Sequence, residues 1–88
     1  MNKEKLAKEL KDRLSRIEGQ ARGVQRMIDE QAECEKVLIQ LAAMKAAVDQ
    51  VGMKVLGCYM ADAVKAQMEG GAEADDAIDN AIRLLGKL

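Results

Sequence analysis

From Glu33 to about Met68 the chain places apolar residues at steps that alternate between three and four. They are Cys34, Val37, Leu41, Met44, Val48, Val51, Val55 and Cys58. This spacing keeps one stripe of a long α-helix turned toward a partner helix. The chain contains no proline to interrupt it. Such a helix would be about 54 Å long, more than the short helices of the same chain can cover. The pattern therefore predicts a homodimer. Near the midpoint of the two cysteines, Ala42, Ala43, Ala46 and Ala47 are small enough to let a second helix come close. Along one helix the two sulfurs would be about 36 Å apart, whereas a disulfide needs Cα atoms within about 7 Å. Cys34 and Cys58 of one chain therefore cannot bond to each other. An antiparallel partner crossing at the alanines brings Cys34 of one copy beside Cys58 of the other, giving two identical inter-subunit thiol sites.

The remaining sequence fits an all-α chain with three helices in a single domain, residues 1–88. There is no tryptophan, phenylalanine or histidine and only one tyrosine, so the core must be aliphatic and rich in methionine. A core this small often needs oligomerisation to be stable. The first helix is expected from about Lys3 to Ile28, with Leu6, Leu10, Leu14 (or Arg13), Ile17, Ala21, Val24 and Ile28 as its apolar stripe. Continuing that stripe would bury Gln31 and Glu35, so a turn is expected near Glu30 to Ala32. Gly19 and Gly23 suggest close helix packing. Gly70-Gly71 should end the central helix. The last helix should begin near Glu73, with Asp75 and Asp76 in its first turn and an apolar stripe of Ala74, Ile78, Ala81, Ile82, Leu85 and Leu88.

Several function classes are disfavoured. With no histidine, no threonine and Ser15 as the single serine, the usual nucleophile–base pairs cannot be assembled, and no enzyme is expected. Met1 to Leu10 is charged and does not resemble a signal peptide, and no stretch is apolar enough to span a membrane. The expected location is cytoplasmic, where the cysteines stay reduced. Two thiolates suit Cu(I) or sulfur chemistry, with Met60 near Cys58 as an optional thioether ligand. They do not by themselves complete a zinc site.

The net charge of −1 hides an asymmetry. Residues 1–26 carry Lys3, Lys5, Lys8, Lys11, Arg13, Arg16, Arg22 and Arg26 against Glu4, Glu9, Asp12 and Glu18. The last twenty residues are acidic, with Glu69, Glu73, Asp75, Asp76 and Asp79 against Arg83 and Lys87. A basic first segment points to a polyanionic partner. A solvated helix face with ordinary pairs one turn apart explains the same charges.

The block Arg13-Leu-Ser-Arg16-Ile-Glu-Gly19-Gln20, then Gly23, Arg26-Met27-Ile28, then Cys34 and Gln40-Leu41-Ala42-Ala43, resembles the CsoR/RcnR family of bacterial repressors. The resemblance covers about residues 6–86. It implies an antiparallel four-helix-bundle homodimer with a short third helix, usually paired into a homotetramer. It also implies binding of double-stranded operator DNA without a helix-turn-helix, through Arg13, Arg16 and Gln20, with Lys8, Lys11, Arg22 and Lys45 as further candidates. An effector at the inter-subunit cysteine site, Cys34 with Cys58, would release the DNA. Where the family's copper sensors carry a histidine and a second cysteine, and its persulfide sensors keep that second cysteine, this chain has Tyr59 and Ala63. Both standard sites are therefore incomplete, and only Cys58, one residue before the histidine position, lies nearby. The expected effector is accordingly a persulfide or another thiol-reactive signal, with Cu(I) bound by Cys34 and Cys58 as the alternative and no required cofactor. Tyr59 is expected to be a packing residue with its hydroxyl at the surface. A reading of another class is a helical adaptor that uses the seam to bind a partner protein and does not bind DNA.

Overall fold

A computed structural model describes residues 2–70 and 74–88. It contains three helices, α1 (Lys3–Asp29), α2 (Cys34–Met68) and α3 (Ala74–Leu85), and no strand occurs among the described residues. Two compact units divide the chain, Asn2–Val51 and Gly52–Leu88.

Local chemistry sets each helix end. The Asn2 side chain caps α1 by accepting a hydrogen bond from the Lys5 amide at 3.1 Å. The other end closes in a Schellman turn: the Ala32 amide donates to the Met27 carbonyl at 2.9 Å and the Gln31 amide to the Ile28 carbonyl at 3.1 Å. Gln31 occupies the left-handed position of this turn, with φ of 57°. The turn lies where the change of apolar phase placed it, although no glycine marks it. At the end of α2, Gly70 supplies a left-handed φ of 81° and its amide donates to the Gln67 carbonyl at 2.9 Å. The expected roles of Gly71 and Glu73 fall outside the described residues.

In Asn2–Val51, the covered face of α1 runs through Leu6, Leu10, Arg13, Ile17, Gln20, Val24 and Met27, and Val24 is its buried member. The steps alternate four and three, so helical position rather than polarity assigns Arg13 and Gln20 to this face. Leu14 and Ile28, expected in the stripe, are 45% and 60% exposed. They lie one residue away from the covered rows. On α2, Val37, Met44, Ala47 and Val51 are half-buried, whereas Leu38, Ile39, Leu41 and Val48 are exposed. The eight-residue seam is thus covered unequally. Its row of Val37, Met44, Val51 and Cys58 is half-buried, and its row of Cys34, Leu41, Val48 and Val55 is exposed.

In Gly52–Leu88, Ala81 of α3 is buried. Gly52 serves a close approach: a Cβ there would meet the Leu88 side chain at 2.6 Å. A Cβ at Gly19 or Gly23 would meet no atom within 4 Å among the described residues, so the close helix packing expected there is not made within one chain.

Because a left-handed backbone is costly for a residue with a Cβ, Gln31→Gly should stabilise the fold by about 0.5–1 kcal/mol. The urea midpoint at fixed protein concentration measures this, and a lower midpoint would contradict the role given to the turn.

Candidate functional site

The two cysteines are free thiols on α2. Cys34 is its first residue and is exposed; Cys58 lies further along and is half-buried. The amide one turn on from the start, Val37, donates to the Glu33 carbonyl at 3.2 Å, which sets Glu33 at the N-cap position. On an α-helix, residues two apart lie on opposite sides. Met60 therefore does not share the face of Cys58, and it lines an open groove with Ala61, Val64, Lys65, Met68 and Glu69. The thioether option at Met60 is not supported within one chain. Among the described residues, no group of three or more histidine, cysteine, aspartate or glutamate side chains converges on a single point.

Tyr59 is half-buried and packs as expected, and its hydroxyl has a partner on α3. It accepts a hydrogen bond from Asn80 Nδ2 at 2.7 Å, and Arg83 Nη2 in turn donates to Asn80 Oδ1. The phenol thus joins α2 to α3 within Gly52–Leu88. Leu84, Leu85 and Leu88 complete the contact as they line an apolar cleft with Gly52, Val55, Leu56 and Tyr59. Asn80 and Arg83 carry no sequence signal for this role, because they meet Tyr59 only when α3 folds back.

A second cluster lies on α1, where Lys5, Lys8, Arg13 and Arg16 line one groove with Glu9 and Asp12. Steps of three or four bring these residues onto neighbouring turns. Four cations against two carboxylates leave the groove net positive. Of the seven candidate DNA contacts, it gathers Lys8, Arg13 and Arg16. Lys5 joins them, as the helical spacing of Lys5, Glu9, Arg13 and Arg16 leads one to expect, although it is not among the seven. Lys11, Arg22 and Lys45 are exposed but do not line the groove. Lys45 pairs with Asp49 at 3.3 Å. Gln20 is half-buried, and its Oε1 is buried without a hydrogen-bond partner among the described residues. Its amide carbonyl is therefore not presented to solvent.

Residues 6–87 match the profile of a family described as metal-sensitive transcriptional repressors. The chain belongs to this family. As a CsoR/RcnR family member it is a transcriptional repressor and not an enzyme. It is 38% identical over 77 residues to the copper-sensing transcriptional repressor RicR of Mycobacterium tuberculosis, covering 86% of this chain and 80% of that protein. The crystal structure of the copper-sensing repressor CsoR with Cu(I) from Geobacillus thermodenitrificans NG80-2 superposes with a TM-score of 0.78 at 34% identity, covering 99% of this chain and 88% of that one. The nickel-responsive transcriptional regulator InrS superposes with a TM-score of 0.72 at 40% identity, covering 84% and 90%. These likenesses bear out the all-α family fold. Among the described residues, no helix is long and apolar enough to cross a membrane.

Tyr59→Phe removes the acceptor for Asn80 and should destabilise the fold by about 1 kcal/mol. Asn80→Ala should produce a similar loss and change the emission of Tyr59, the chain's single tyrosine. Urea midpoints read by circular dichroism in both variants, with tyrosine emission in Asn80→Ala, test the pair; unchanged midpoints in both variants and unchanged emission in Asn80→Ala would exclude a structural role for the bond.

Proposed function

We propose that the chain, acting as one sensor domain over residues 1–88, is a cytoplasmic repressor that binds double-stranded operator DNA through the basic face of α1. An effector acting at Cys34 of one subunit and Cys58 of the other would weaken that binding. The exposed apolar row of α2 carries the reading of a homodimer. Leu38, Ile39, Leu41, Val48 and Val55 are each at least 41% exposed, and only Val24 and Ala81 are buried among the described residues. A helix with apolar residues on so many sides belongs inside an assembly. A second copy, antiparallel across Ala42, Ala43, Ala46 and Ala47, supplies that cover as a four-helix bundle, and pairing of dimers gives a homotetramer. Membership in a repressor family favours this reading over a helical adaptor.

For the effector, thiol chemistry is supported by the residues beside the cysteines. Tyr59 has its hydroxyl committed to Asn80, and Ala63 offers no donor. A polysulfide would react in two balanced steps. The Cys34 thiolate takes a sulfane sulfur and expels the shortened polysulfide, then the Cys58 thiolate of the second copy displaces hydrosulfide from the persulfide to leave a disulfide. Cu(I) held by the same two thiolates is the second reading. It is favoured by the copper-sensing descriptions of RicR and CsoR.

Intact mass without reductant, before and after anaerobic exposure to polysulfide, separates the two readings. A covalent dimer lost in Cys34→Ser and in Cys58→Ser supports the thiol switch. An unchanged monomer mass, with Cu(I) retained against a chelator by the wild type but not by those variants, supports copper. For the DNA face, Arg16→Ala should weaken operator binding and lower the slope of log affinity against log salt by about one. An unchanged slope would remove Arg16 from the interface.

A further inference from the structure

Arg13 and Arg16 are neighbours in sequence but differ in how they are held. Arg16 is exposed and makes no hydrogen bond or ion pair among the described residues. The Arg13 side chain is only 30% exposed. Its Nε donates to Glu9 Oε1 at 3.4 Å, and its Nη1 donates to Gln50 Oε1 on α2 at 3.1 Å. All three residues belong to the unit Asn2–Val51. We propose that Gln50 is a positioning residue for the DNA contact made by Arg13, holding the guanidinium at the rim of the basic groove with its outer edge free for phosphate.

The inference rests on the reading of Arg13 as a DNA contact and adds the residue that orients it. A guanidinium carries five N–H donors in a rigid plane. Glu9 and Gln50 take two, so three remain for an incoming phosphate. Glu9 orients the side chain but offsets part of its charge. Gln50 is neutral, so it fixes the plane without reducing the attraction for a polyanion. Holding a long side chain in place before DNA arrives removes part of the entropy otherwise lost on binding. Gln50 also lies on the helix that carries both thiols. Displacement of α2 along α1 would lengthen or bend this bond and weaken it. The bond thus gives the thiol-bearing helix a direct hold on a DNA-binding side chain.

The test is a double-mutant cycle on the full chain, read as binding to a fluorescein-labelled duplex selected from a random-sequence library by the wild-type protein. Gln50→Ala should weaken binding about five- to tenfold while leaving the salt slope unchanged, because the charge on Arg13 remains. Arg13→Ala should weaken binding and lower the slope by about one. Adding Gln50→Ala to Arg13→Ala should cost nothing further. Gln50→Leu, which keeps the bulk but lacks the acceptor, should behave as Gln50→Ala does. An equal loss from Gln50→Ala in both backgrounds would make Gln50 a general structural residue and overturn the inference, leaving Arg13 as a DNA contact. No loss from Gln50→Ala in the Arg13 background would overturn it as well. If Arg13→Ala itself binds like the wild type, the DNA contact at Arg13 fails and the inference fails with it.

Discussion

A long helix whose apolar residues exceed what its own chain can cover is the constraint behind the other features of this protein. α2 exposes Leu38, Ile39, Leu41, Val48 and Val55, while the described residues bury only Val24 and Ala81. Burial of apolar surface is the dominant favourable term in folding. In the proposed homodimer a second copy covers this surface, which also carries Cys34, so stability and sensing would draw on one helix.

Apolar packing is non-directional and leaves neighbouring helices some freedom to slide. Polar ties fix particular pairs. In Asn2–Val51, Arg13 reaches Gln50; in Gly52–Leu88, Asn80 reaches Tyr59 and is itself held by Arg83. Each tie joins α2 to another helix. Each also engages a residue of functional interest, either a groove arginine or the aromatic that stands where the family's copper sensors have a histidine. Hydrogen bonds of this kind each contribute only about 1 kcal/mol to stability. Their value lies in orientation, which suits a repressor whose bound and released forms need differ by only a few kcal/mol.

The side chains around the thiols bear on the proposed effector. The Tyr59 hydroxyl accepts a hydrogen bond from Asn80 of α3, and Met60 lies on a different face of α2 from Cys58. The two thiols of α2 are Cys34 and Cys58, and thiolates suit sulfur chemistry as well as Cu(I). The family membership fixes the class of protein. The side chains around Cys58 bear on the choice of signal.

Local pattern was enough to read the three helices, the turn after Ile28 and the stop at Gly70, because caps, breaks and apolar phase act over three or four residues. The basic face of α1 and the separation of the two cysteines were legible for the same reason. Local pattern left the choice between Leu14 and Arg13 open, and it did not reveal that Gln20 occupies a covered position while Ile28 does not. That depends on how α1 is rotated about its axis, and adjoining rows of the helix read almost alike in sequence. Nor could it join Arg13 to Gln50, Tyr59 to Asn80 or Leu88 to Gly52. The sequence by itself determined which segments are helical and which faces carry charge or apolar groups. Only the tertiary structure decided which side chains meet, because those pairs are distant along the chain and are set by the rotation and docking of whole helices.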